Sequence, residues 1–151
     1  TFFMNSVYPL YIRNFQEDRK KFLSTFRKSI AIMLLMGLTF SIIGILSASF
    51  TIAVLGGSEF SMSVNALRLL LVGIPIFYVT QPISWFIVTI EKQKFLPTAY
   101  FFAAILNILL NLYFIPRYSF YASAVITWVT EIVILLFLIV FASTAWKKLN
   151  E

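Results

Sequence analysis

The chain of 151 residues contains no cysteine and no histidine. The first absence leaves no disulfide framework, and the two together remove the usual ligands for zinc or copper, so neither a metal site nor a cofactor is expected. Charge is scarce as well: Asp, Glu, Lys and Arg make up 12% of the residues, where a soluble domain carries roughly 25%. Apolar residues, at 60%, fill the chain instead. A single soluble domain of this length would have to bury apolar runs that no small core covers. The formal charge of +6 raises nucleic acid as a partner. The basic residues lie between apolar runs rather than in one patch, however, so no nucleic-acid binding is expected.

A hydrocarbon core about 30 Å thick takes ~20 residues of helix at 1.5 Å rise. Four runs reach that length, residues 29–55, 69–90, 97–115 and 120–146, and Glu131 is the one charged residue inside them. The connections between them are short, which predicts antiparallel consecutive helices packed as neighbours. The fold class expected is therefore an all-α integral membrane protein with four antiparallel transmembrane helices. Residues 1–12 begin without Met and carry no charge. They read as the end of a preceding transmembrane helix, and the whole chain as the C-terminal fragment of a longer protein. A secretory signal would place its basic residues before the apolar run, not after it.

Residues 13–28 form a basic segment in which Phe15, Phe22 and Phe26 recur at helical spacing while Lys20, Lys21, Arg27 and Lys28 fall on the other face. This is the pattern of an interfacial helix whose cations meet anionic headgroups, with a solvated charged loop as the alternative. Lys and Arg also set the orientation, because cytoplasmic loops carry their excess. Ten of the twelve lie in residues 13–28, in the loop with Lys92 and Lys94, and in the tail 147–151. These three segments are assigned to the cytoplasm. Arg68 and Arg117 lie on the opposite side.

The polar and helix-breaking residues inside the spans are the candidate functional positions. Pro75 and Pro82, with Gly73 and Gln81 nearby, predict a kinked or locally unwound second span. Such helices line substrate paths in transporters, where freed carbonyls are solvated, but neighbouring helices can also satisfy those carbonyls. Asn107 and Asn111, one turn apart, share a face of the third span. They either hydrogen-bond across a helix interface or contact a polar substrate. Glu131 falls near the bilayer midplane, where inserting a carboxylate costs on the order of 3 kcal/mol. It is read either as cavity-facing with a coupling role, or as a protonated structural hydrogen bond to a neighbouring helix. Antiparallel spans place Asn107 and Glu131 at similar depth, within reach of each other.

The order of these parts is informative. Tyr8-Pro9 and the basic stretch precede a span that ends Ala53-Val54-Leu55-Gly56-Gly57-Ser58-Glu59-Phe60. Asn107, Asn111, Ile115-Pro116-Arg117-Tyr118, Ala122, Ala124 and Thr130-Glu131 then follow. This resembles the C-terminal part of polysaccharide and lipid-linked oligosaccharide flippases of the multidrug/oligosaccharidyl-lipid/polysaccharide exporter superfamily. Ser119 departs from the resemblance, since the family usually carries Gly there for a tighter turn.

The resemblance implies two helical lobes around a central cavity that opens alternately to each membrane face, this chain supplying most of the second lobe. It implies no enzyme chemistry. The expected cargo is an oligosaccharide repeat unit on undecaprenyl diphosphate, carried from the cytoplasmic to the periplasmic leaflet of a bacterial inner membrane during O-antigen or capsule synthesis. Substrate-path candidates are then Asn107, Asn111, Gln81, Arg68 and Arg117, with Glu131 as the coupling candidate and room for proton or sodium coupling. Further partners implied are membrane lipids, a polysaccharide polymerase and a chain-length regulator. A multidrug extruder of the same superfamily and a non-transport assembly partner are the alternatives.

Overall fold

The computed structural model describes residues 2–150; Thr1 and Glu151, the outermost residues of the expected first segment and of the tail, lie outside them. The described residues form six α-helices and one 3-10 turn: α1 Phe2–Glu17, α2 Arg19–Gly56, the turn Ser58–Phe60, α3 Ser63–Val72, α4 Ile74–Thr89, α5 Phe95–Tyr118 and α6 Phe120–Asn150. Four helical stretches are long and apolar enough to cross a membrane, α2, α3 with α4 taken together, α5 and α6. The chain is an all-α, multi-pass membrane protein. Large apolar side chains such as Leu35, Leu46, Phe101, Leu112 and Val140 stand exposed along these helices, as lipid-facing surfaces require.

The basic segment 13–28 is not a separate helix. Asp18 has extended backbone angles, and its carboxylate accepts from the backbone N–H groups of Lys20 (2.8 Å) and Lys21 (3.3 Å), so it ends α1 and caps α2. The segment's phenylalanines also turn inward rather than lying on the membrane surface. Phe22 is fully buried, edge-on to Tyr11 and Phe15 and stacked on Phe86 at 5.1 Å, with Trp146 at 5.6 Å. Such pairs each contribute ~0.5–1.5 kcal/mol beyond area burial, which favours this aromatic cluster over an interfacial position. The cluster ties α1, the start of α2 and the ends of α4 and α6 together at the basic end of the bundle.

The second span is broken, as its Gly and Pro residues predict. Its helix stops at Val72 and restarts at Ile74, with Pro75 in the first turn of α4. Pro75 has no N–H for the Leu71 carbonyl four residues back. The Ser41 hydroxyl of α2 donates to that carbonyl instead, at 2.7 Å. Two glycines allow the close packing on either side. A Cβ on Gly37 would sit 2.8 Å from Pro75 Cα, and a Cβ on Gly73 would sit 2.4 Å from Trp128 Cβ. Pro82, in contrast, is buried within an unbroken α4.

Sequential helices are not all packed neighbours. α2 packs on α4, α4 on α6 and α6 on α5, while α3 bridges α2 and α6. α6 therefore inserts between the helices that precede it, and α5 packs principally on α6. α4 and α5 meet at Ser84 and Tyr100, whose hydroxyls are 3.3 Å apart. The linker, residues 90–94, reaches about 17 Å when extended, enough to step past one helix. α6 is suited to contacts on two sides because Ala122, Ala124, Ala142 and Ala145 are all buried along it, and small residues let helix backbones approach closely.

The hairpin of α5 and α6 turns on one residue. α5 continues through Pro116 to Tyr118, α6 starts at Phe120, and Ser119 alone makes the reversal with φ 56° and ψ −156°. That region of backbone space belongs essentially to glycine.

Candidate functional site

Ser119 fixes the depth of the polar residues on both sides of the hairpin. Asn107 lies twelve residues before it and Thr130 eleven after, hence roughly 18 and 17 Å from the turn at 1.5 Å per residue. Residues 130 and 131 differ by about 100° around α6, and this angle sends them to different neighbours. Thr130 faces α5. The Asn107 amide donates to its hydroxyl at 3.0 Å, and the hydroxyl donates in turn to the Ile126 carbonyl at 2.8 Å. Glu131 faces α4, buried to 7% exposure. The fully buried Thr80 hydroxyl lies beside the Glu131 carboxyl and donates to the Ile76 carbonyl at 3.0 Å.

The expected contact between Asn107 and Glu131 is thus replaced by two separate ones. Depth alone permits the pair, but azimuth forbids it: the α6 face that meets α5 carries Thr130. Among the described residues Glu131 has no ion pair, since Arg13 with Glu17 forms the one salt bridge there. Thr80, Glu131, Thr130, Asn107 and Asn111 form a polar layer crossing α4, α6 and α5 inside an otherwise apolar bundle.

Asn111 extends that layer along α5. Its amide donates to both the backbone and the side-chain oxygen of Asn107, each at 2.9 Å. Its own side-chain oxygen is buried with no hydrogen-bond partner. Donors therefore run from Asn111 through Asn107 and Thr130 to a backbone carbonyl. One bond of this chain, from Asn107 to Thr130, crosses the helix interface.

The remaining candidates are dispersed. Gln81 is half-buried and makes no hydrogen bond with another described residue. Arg68 is exposed and donates to the Ser49 hydroxyl at 3.1 Å, linking α3 to α2. Arg117 folds back on its own helix, donating to the Tyr113 carbonyl at 2.7 Å and lying 3.9 Å from the centre of the Tyr113 ring. It caps the last turn of α5. No three His, Cys, Asp or Glu residues cluster to hold a metal ion among the described residues. Thr80 and Ser41 were not singled out by the sequence, because a hydroxyl in a membrane helix carries no signal until its partner is known.

Several membrane-crossing helices, one of them broken, thus surround a buried polar layer. The MatE family model matches residues 16–113, well over half of the chain. The chain belongs to the MatE family and so to the multidrug/oligosaccharidyl-lipid/polysaccharide exporter superfamily, whose members are transporters and not enzymes. The match includes the broken helix, Thr80, Asn107 and Asn111, and ends before Arg117, Ser119 and Glu131. No curated protein and no solved structure matches the chain.

Proposed function

We propose that the protein is a flippase moving undecaprenyl-diphosphate-linked oligosaccharide from the cytoplasmic to the periplasmic leaflet of a bacterial inner membrane, with its C-terminus in the cytoplasm. The observation that carries this reading is the order of residues from Asn107 to Glu131, which resembles the polysaccharide branch of the superfamily. The physical demand on such a carrier is to pass a hydrophilic glycan while the lipid tail stays in hydrocarbon, and helices apolar outside with a sparse polar interior suit it. Glu131 is the coupling residue in this account: a buried carboxyl with no ion pair among the described residues, shared between α6 and α4 just below the break at Gly73. Asn107 holds the α5–α6 pair through Thr130, and Asn111 supports it from within α5.

The test is deletion of the gene in its native host. The flippase reading expects lipid-linked repeat units to accumulate on the cytoplasmic side and surface polysaccharide to fall, both restored by the intact gene. The MatE match is equally compatible with multidrug export, which expects unchanged glycan and reduced efflux of a cationic dye. If neither transport changes, the protein serves as an assembly partner and the proposal fails.

A further inference from the structure

We propose that the basic end of the bundle holds a site for one anionic glycerophospholipid, with the headgroup phosphate on Arg19 and one acyl chain in a groove between α2, α4 and α6. The groove has a volume of about 410 Å³ and is lined from Leu23 to Ile30 on α2, from Val79 to Phe86 on α4 and from Ile139 to Trp146 on α6. Each helix contributes seven residues' rise, so the groove runs roughly 10 Å along the helix axes. A leaflet's hydrocarbon is about 15 Å deep, half of a 30 Å core, so the groove takes most of one chain. Its wall is apolar apart from Ser143.

Arg19 sits at the mouth. Positions 19, 23, 26 and 30 share one face of α2, which puts Arg19 one turn beyond the groove on the basic side. Its guanidinium carbon is 3.6 Å from the centre of the Phe15 ring and 5.6 Å from that of Trp146, a residue of the groove wall. The rings hold the cation in place. Among the described residues Arg19 makes no hydrogen bond or ion pair, so its N–H donors remain available.

A fixed guanidinium with available donors suits a phosphate oxygen pair. Arg27, exposed and two turns further along α2, lies level with the groove rather than at its mouth. An apolar slot ending in an oriented cation matches an anionic lipid in both halves. A second, wholly apolar helix in the groove would leave the guanidinium unsatisfied.

The experiment uses the full-length protein in phosphatidylcholine vesicles containing equal amounts of a diazirine-acyl phosphatidylglycerol or a diazirine-acyl phosphatidylcholine. Photolabelled peptides are mapped by mass spectrometry. Labelling within residues 23–30, 79–86 and 139–146 is expected to favour the anionic lipid about fivefold, the Boltzmann factor for one basic side chain at an anionic surface. Arg19→Gln is expected to bring the preference to about one, while Arg13→Gln, at a position already paired with Glu17, leaves it intact. Ser143→Phe, at an exposed position of the groove wall, is expected to remove labelling by both lipids. Equal labelling of the unaltered protein by the two lipids overturns the proposal, as does a preference that survives Arg19→Gln. An unlabelled groove that cross-links to another protein segment also overturns it.

Discussion

Pairing Asn107→Leu with Thr130→Val tests the polar layer where its geometry is most explicit. Asn107 donates across the α5–α6 interface to Thr130 at 3.0 Å, and α5 is held principally by that interface. Removing the Asn107 side chain leaves each neighbour at least one hydrogen bond. The Thr130 hydroxyl keeps the Ile126 carbonyl at 2.8 Å, and the Asn111 amide keeps the Asn107 backbone carbonyl at 2.9 Å. The loss is the interhelical bond, ~0.6 kcal/mol on average and at most ~1.7 kcal/mol for such bonds in membrane bundles, together with the bond from the Asn111 amide to the Asn107 side-chain oxygen.

Either single variant also changes transfer into the apolar interior, so its own stability change is not diagnostic. The double-mutant cycle cancels that contribution. Reversible unfolding in mixed micelles is expected to give a coupling energy of ~0.6–1.7 kcal/mol for Asn107 with Thr130. The cycle of Asn107→Leu with Glu131→Gln is expected to give a coupling near zero. Zero coupling in the first cycle together with measurable coupling in the second would refute the assignment of Thr130 to α5 and Glu131 to α4.

Other expected outcomes follow from single contacts. Gly73→Ala places a Cβ 2.4 Å from Trp128 Cβ at a backbone φ of −77° that any residue adopts; the cost is steric overpacking, ~1–3 kcal/mol in the same unfolding assay. Ser119→Gly is expected to stabilise the protein by ~1 kcal/mol by relieving a glycine-type backbone conformation, seen as a higher unfolding midpoint. Glu131→Gln keeps the shape of the side chain and is expected to abolish the dependence of transport on an ion gradient; transport that stays gradient-driven removes Glu131 from coupling.

Much of this architecture is legible in the sequence, and the illegible part has a common cause. Run length locates membrane-crossing helices, and Gly73 followed by Pro75 announces a break, because these signals act along one helix. Ser119 is likewise readable: where the resembling family carries glycine, the chain holds a positive φ of 56°. Asp18, a helix-capping residue directly before a basic run, carried a readable local signal that the phenylalanine periodicity of residues 13–28 obscured. Lateral packing is different. Nothing local states that α6 enters between α4 and α5, and without that fact Asn107 appears to face Glu131. Thr80 and Ser41 gain meaning from helices far away in sequence. The candidate site was therefore visible as residue types at a depth but not as pairs.

The central claim is transport of a lipid-linked glycan, and reconstitution tests it most directly. The full-length protein is placed in proteoliposomes loaded on one leaflet with undecaprenyl-diphosphate-linked oligosaccharide, and appearance of glycan on the other leaflet is followed by lectin or glycosidase access. The account predicts protein-dependent exchange that Glu131→Gln uncouples from an imposed ion gradient. Glycan that stays on its original leaflet while the same vesicles move a cationic dye would contradict it.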